Sequence, residues 1–173
     1  MAAIFAFTCT CCGKAHEGSP SFSFDAPWPY ATLSEAQKES MAKLSSDFCT
    51  IAHEEGTDYF IRAVLEIPIH GVAEPFTWGV WVSLSEKSFR RYVETYRDPV
   101  AGDGFFGWVC NKLPVYPHES SLATDVVVQA GGLRPRLHLH HGSENDAQVI
   151  LDQLNGISVA RAQELAERAQ HGV

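Results

Sequence analysis

Two stretches near the middle of the chain limit what it can fold into. From Tyr59 to Ile69, Tyr59, Ile61, Ala63, Leu65 and Ile67 alternate with Phe60, Arg62, Val64 and Glu66. From Phe76 to Leu84, Phe76, Trp78, Val80, Val82 and Leu84 alternate with Thr77, Gly79, Trp81 and Ser83. Successive side chains of an extended strand point to opposite faces, so each run reads as a strand with one strongly apolar side. Pro68 ends the first run, and His70-Gly71 through Pro75 form the connection, so the two are expected to pair antiparallel.

Around this pair the other elements are shorter. Ile4–Thr8, Ser21–Asp25, Phe48–Ile51, Phe105–Asn111, Thr124–Ala130 and Arg136–His140 read as extended. Gly107 suggests a bulge or a close approach, and Gly131-Gly132 permits a hairpin with a loop longer than two residues. Helices are expected from a Ser34 cap to about Ser46, from a Ser85 cap to about Tyr96, over Ala147–Leu154, and from a Ser158 cap onward. Phe89, Tyr92, Val93 and Tyr96 give the second of these a clean apolar face. Ala26-Pro27-Trp28-Pro29-Tyr30 is expected to be an irregular, rigid loop, because prolines flank the tryptophan. The resulting expectation is an α+β fold with a mostly antiparallel central sheet of about five strands, flanking helices and an N-terminal metal-binding knuckle. Residues 1–173 are read as one domain, with 1–25 as a Cys/His segment tied to the core; the chain's 173 residues, 45% of them apolar, suit one core.

The chemistry-bearing motif is Cys9-Thr10-Cys11-Cys12-Gly13-Lys14-Ala15-His16. A Cys-x-x-Cys turn presents two thiolates to one tetrahedral ion, and His16, four residues on, can add an imidazole. Cys11 competes with Cys12 for the same role, and the i, i+3 pair is the better fit. Cys49 is the candidate fourth ligand; the bland alternative is an ordinary buried thiol. A Cys9, Cys12, His16, Cys49 set suits a closed, structural Zn2+ site without a bound water. A redox pair would normally open a helix, which Gly13-Lys14 argues against. Cys110 reads as a sheet residue packed in the core.

A second group lies on the sheet. Arg136, His138 and His140 share one side of a strand and could join Arg62 and Glu66 in a polar patch. Trp81, on the face opposite Trp78, is the tryptophan available to a ligand. Arg62, Glu66, Trp81, His138 and His140 therefore make a candidate ligand-binding set, with Asp146 or Glu144 able to complete a metal site on the histidines. The bland alternative is a His-rich solvated strand face. His70 stays unassigned.

A net charge of -8 and the lack of a Lys/Arg run disfavour nucleic-acid and anionic-membrane partners. No stretch is long and apolar enough to span a bilayer. The residues before Cys9 carry no basic group and do not read as a signal peptide. Clustered, odd-numbered cysteines suit a reducing, cytoplasmic location. No phosphate-binding, dinucleotide, His-Glu-x-x-His or Gly-x-Ser-x-Gly motif occurs.

Several segments together carry a resemblance. They are Cys9-x-x-Cys12-Gly13-Lys14-x-His16, Leu44-Ser45-Ser46-Asp47-Phe48-Cys49, Phe60-Ile61-Arg62-x-Val64-Leu65-Glu66-Ile67-Pro68 and Phe76-x-Trp78-Gly79-Val80-Trp81-Val82-Ser83-Leu84-Ser85. Phe106-Gly107-Trp108, Gly131-Gly132-Leu133-Arg134-Pro135 and Asn155-Gly156-Ile157-Ser158 complete them. In these the chain resembles the bacterial domain-of-unknown-function family 2199 over nearly its whole length. The resemblance implies a cysteine pair at the opening, a histidine near His16 and a later cysteine near Cys49; it implies no reaction, substrate or partner. After Pro135 the run Arg136-Leu137-His138-Leu139-His140-His141-Gly142 departs from the family pattern of an acidic strand and a His-Pro pair. Three functions are consistent with these features: a binding or interaction module stapled by structural zinc, an enzyme with a polar pocket on the sheet face, and an acidic regulatory or toxin-neutralising protein. The partner, protein or small molecule, and the oligomeric state are not specified by the sequence.

Overall fold

The two alternating runs form the longest strands of the computed structural model, which describes residues 4–117, 121–143 and 146–172. The first is β6 (Gly56–Ile67) and the second β7 (Phe76–Leu84). They pair antiparallel in unbroken register from Tyr59↔Leu84 to Ile67↔Phe76. β8 (Gly104–Val109), β9 (Ala123–Val127) and β10 (Arg136–Leu139) continue antiparallel from β7, and β10 returns to β6 in parallel at Arg136↔Val64. Five strands thus close into a barrel. The closing contact is reinforced by the Val64 N–H, which donates to the Pro135 carbonyl at 2.8 Å.

Both long strands change partner along one edge. The first half of β6 pairs with β5 (Phe48–His53), which pairs in turn with β4 (Ala42–Leu44), while Val64 pairs with β10. β7 pairs with β3 (Ser21–Ser23) over Thr77–Gly79 and with β8 over Val82–Leu84. One strand pair therefore serves both the barrel and its flanking strands. The described residues hold ten strands, against the five substantial ones expected; the two that no extended reading anticipated, Ala15–Glu17 and Ala42–Leu44, are three-residue pieces, too short to announce themselves by alternation. β1 (Ala6–Thr8) and β2 (Ala15–Glu17) form a separate antiparallel ribbon.

Two of the predicted elements are corrected. The helix capped by Ser34, α2, spans Glu35–Met41 and stops before the predicted Ser46. Ala42–Leu44 instead form a hairpin arm against Cys49–Ile51, since cross-strand pairing satisfies the backbone there. Trp28–Ala31 is a short helix, α1, where irregular structure was expected. Its prolines occupy the N-cap and the first turn, where a missing N–H costs no hydrogen bond. α3 (Glu86–Thr95), α4 (Gln148–Asn155) and α5 (Val159–His171) lie close to expectation. Gly107 is a close approach: a Cβ there would stand 2.6 Å from Ser83 O and from Val82 Cγ2.

The sheet buries both faces. Ile61, Ala63, Leu65 and Ile67 meet Trp78, Val80 and Val82 in the main core, with Leu137 and Leu139 of β10 and Leu165 of α5. On the other face, Cys49, Ile51, Phe60 and Trp81 form a second core, covered by Phe24, Tyr30, Leu33 and Met41.

Candidate functional site

The knuckle grows out of the β1–β2 ribbon. Phe7 lies opposite His16, and beyond that pair the chain turns through Cys9–Lys14. The Cys9 N–H donates to the Lys14 carbonyl and the Gly13 N–H to the Cys9 carbonyl, both at 2.8 Å. Gly13 takes φ = 71°, a left-handed conformation that glycine adopts without Cβ strain. The fold of this turn aims the backbone N–H groups of Cys12 and Cys11 at the Cys9 sulfur. Burial opposes ionisation of that thiol, but these amides, the Cys12 side chain and His171 outweigh it and lower it to about 7. A cysteine held this way is prepared to act as a thiolate.

The third member of the group comes from the far end of the chain. Cys9 Sγ lies 3.3 Å from His171 Nε2, and the donor atoms of Cys9, Cys12 and His171 all lie within 4.8 Å of one another. Sulfur and nitrogen donors on a tetrahedral zinc stand about 3.5 Å apart, given the usual bond lengths. The trio could therefore close on an ion with small side-chain movements.

α5 is anchored to the knuckle independently of any ion. Glu167 accepts from the Thr10 N–H at 2.7 Å and from Thr10 Oγ1 at 2.8 Å, and Gln163 Nε2 donates to the Thr8 carbonyl at 3.3 Å. The Thr10 amide, a 3.0 Å bond from Gln163 Nε2 and the Thr10 hydroxyl hold the carboxyl of Glu167 below the usual range. Ala162, Leu165 and Ala166 bury the opposite side of the helix.

The group departs from the predicted ligand set in its third member, which is His171 and neither His16 nor Cys49. His16 stacks on Phe7, ring centroids 5.0 Å apart, and its Nε2 is buried without a hydrogen-bond partner among the described residues. Cys49 lies in the second core beside Ile51, Phe60 and Trp81, where burial pushes its thiol up to about 12. That environment suits the bland alternative, a packed thiol. Cys11 is exposed and lies outside the trio. His171 could not be found from spacing, because 162 residues separate it from Cys9. The available signal was a histidine at the end of an amphipathic helix, and that signal is common.

The five residues of the proposed sheet site do not converge. Trp81, read as available to a ligand, is fully buried; its Nε1 donates to the Phe24 carbonyl at 3.0 Å and its N–H to Asn111 Oδ1 at 2.7 Å. The outward face of β7 is covered there by the α1–α2 segment, so lying opposite Trp78 does not mean solvent. Arg62 is directed to the Ser46 carbonyl, at 3.5 Å. Glu66 pairs with Arg136 at 2.7 Å and, with His138, lines a cavity of about 320 Å³. His140 binds Asp125 at 2.9 Å and packs against Phe106. Asp146 accepts from the Gly142 and Ser143 N–H groups, and Glu144 lies outside the described residues. His70 is structural: its Nε2 sits 2.8 Å from the Asn155 carbonyl, and its backbone N–H donates to the Ile157 carbonyl.

One polar contact unites two segments of the resemblance. Arg134 Nε meets Asp47 Oδ1 at 2.9 Å, beside the barrel-closing Pro135. Burial pushes the Asp47 carboxyl up, but hydrogen bonds from Ser46, Arg134 and Tyr96 outweigh it and hold it below the ordinary 3.8. A carboxyl lowered in the folded state contributes stability above its unfolded value, and loses it as pH falls through the folded-state value. Arg134→Ala is therefore expected to destabilise by about 1–2 kcal/mol at pH 7. In urea melts, the gap from the parent should narrow as pH drops below 3.8. A gap independent of pH would mean that the pair is not ionic in effect.

The fold and the site together define an α+β barrel protein with flanking strands and a Cys/His cluster able to ligate a metal. The chain belongs to the family of uncharacterized proteins conserved in bacteria, DUF2199, whose sequence profile matches residues 8–157. The match includes both cysteines of the cluster and stops before α5, which carries the histidine. No curated protein and no solved structure matches the chain. No helix among the described residues is long and apolar enough to cross a membrane.

Proposed function

We propose that the protein is a binding module whose two terminal segments are stapled by a structural zinc ion. Cys9, Cys12 and His171 are three of the ligands. The observation that carries this is the meeting of their donor atoms within 4.8 Å, in a turn whose amides face the Cys9 sulfur. Two thiolates and an imidazole suit zinc over harder cations.

His16 is the candidate fourth ligand in this reading. It lies opposite Phe7, two residues before Cys9, so it is a diagonal neighbour of that cysteine on the ribbon. A buried ring nitrogen without a partner is costly, and a metal bond would satisfy it. Four protein ligands leave no position for water or substrate, which makes the site architectural. None of the three clustered residues lines either of the two described cavities, which agrees with that role. A reducing cytoplasm would keep the thiols available.

Elemental analysis of protein purified under reducing conditions tests the proposal. One zinc per chain is expected in the parent and in Cys49→Ala, and a small fraction of that in Cys12→Ser. His16→Ala and His171→Ala should each weaken binding by tenfold or more. A parent without zinc, refractory to loading, would sink the reading. Full retention in Cys12→Ser would do the same.

A further inference from the structure

The largest cavity described is an open groove of about 1080 Å³ on the outside of the barrel. Its floor is the outer face of β6, β7 and β8, where Phe60 pairs with Ser83 and Ser83 with Trp108. The chain's four tryptophans divide sharply between core and groove. Trp78 and Trp81 are buried, whereas Trp28 and Trp108 are 48% and 43% exposed, and both line this groove with Phe106, itself 51% exposed. The Trp28 backbone N–H donates to the Cys110 carbonyl at 2.8 Å, which ties its segment to the rim of the groove, and Phe106 packs edge-on against Trp108 at 5.3 Å. Half-exposed aromatic rings gathered in one cleft are what a binding site uses as anchors.

The charges around the rings select the ligand. Lys112 Nζ sits 4.6 Å from the centre of the Trp28 ring, so this groove already receives an ammonium on an indole face. Two carboxylates also line it, Asp58 and Glu86, each about half exposed. Asp58 uses Oδ2 to meet His53, and Glu86 uses Oε1 to meet Arg90. Among the described residues, no hydrogen bond takes their other oxygens. An anionic ligand would face two carboxylates against one lysine. A cation would find ring faces and carboxylate oxygens together, on a chain of net charge -8. The groove is also too large for one side chain and has room for an extended segment.

We infer that this groove binds a basic peptide segment of a partner protein, with a lysine or arginine side chain laid over Trp108 and Phe106 and its charge met by Asp58 and Glu86. The inference rests on the binding-module reading and names the partner class.

The test titrates isotope-labelled, metal-replete full chain with a short Arg/Lys–Gly–Ser peptide at physiological salt, following the tryptophan indole N–H signals. Parallel titrations use a peptide of equal length with Glu at the basic positions, and a neutral disaccharide. The Trp28 and Trp108 signals should move saturably with the basic peptide alone, while Trp78, in the main core, stays as the internal reference. Trp108→Ala should weaken binding roughly tenfold, and Asp58→Asn and Glu86→Gln roughly threefold each. Glu35→Gln, on α2 and outside the groove lining, should leave it unchanged. No movement of the two signals, an equal response to the acidic peptide or the sugar, or an equal loss in Glu35→Gln would overturn the inference. Zinc content measured on the same samples separates the two readings, since the groove variants touch no metal ligand and should keep the ion.

Discussion

Stripping the metal with a strong chelator, or replacing His171 with alanine, is expected to lower the melting temperature by about 5–15 °C. An ion bound only by the folded chain stabilises it by about 3–4 kcal/mol at a hundred to a thousand times its dissociation constant. For a chain of this size each kcal/mol moves the midpoint by roughly 2–4 °C. The effect should be local before it is global. The main core does not depend on the ion, and α5 keeps its Ser158 cap and its buried Ala162, Leu165 and Ala166. What the ion adds is closure at the tip, where Thr10–Glu167, Gln163–Thr8 and Cys9–His171 are the contacts between ribbon and helix. Hydrogen exchange in the chelated protein should therefore rise first in residues 9–14 and in the last turns of α5, with β6 and β7 protected as before. Melting curves that coincide with and without chelator would remove the ion from the structural account.

The two long barrel strands were legible because each carries a period-two pattern long enough to count. β6 and β7 have cores on alternate residues, and Ile61 to Ile67 and Phe76 to Leu84 landed on the buried face as the alternation required. Barrel closure was not legible, since it rests on a single parallel pairing at Arg136↔Val64 and one hydrogen bond from Val64 to Pro135. Nothing local in Arg136–Leu139 distinguishes a strand that closes a ring from one that ends a sheet. The metal site divides the same way. Cys9 and Cys12 follow from spacing, because a turn brings i and i+3 together whatever the rest of the chain does. His171 follows from how α5 packs, which is a tertiary fact. Cys49 drew attention as a thiol on a strand-like segment, but its strand presents it to Phe60 and Trp81, where an uncharged thiol packs well and a thiolate would be costly.

Trp81→Ala should be among the most damaging single substitutions in the chain, costing about 3–5 kcal/mol and roughly 8–15 °C in melting temperature. The argument turns on which face of β7 the residue occupies. Alternation places it opposite Trp78 and Val80, and a sheet with one wet face would leave it in solvent. Here α1, α2 and the segment before them cover that face, so the indole is fully buried among Cys49, Ile51 and Phe60, with Phe24, Tyr30 and Met41 around it. Truncation would open a cavity in the smaller of the two cores and leave the Phe24 carbonyl without the donor at 3.0 Å. Trp81→Phe should restore much of the packing and none of the hydrogen bond, so it should fall between parent and alanine. The groove adds a further consequence. Phe60 and Cys110 belong to the groove lining and also pack in or against the second core, so loosening Trp81 should disturb the floor beneath Trp108. Denaturant melts of the two variants, read beside Trp108→Ala, decide between the roles. A buried anchor predicts a large loss for Trp81→Ala and a small one for Trp108→Ala, whereas a solvent-facing platform would make both substitutions nearly neutral for stability.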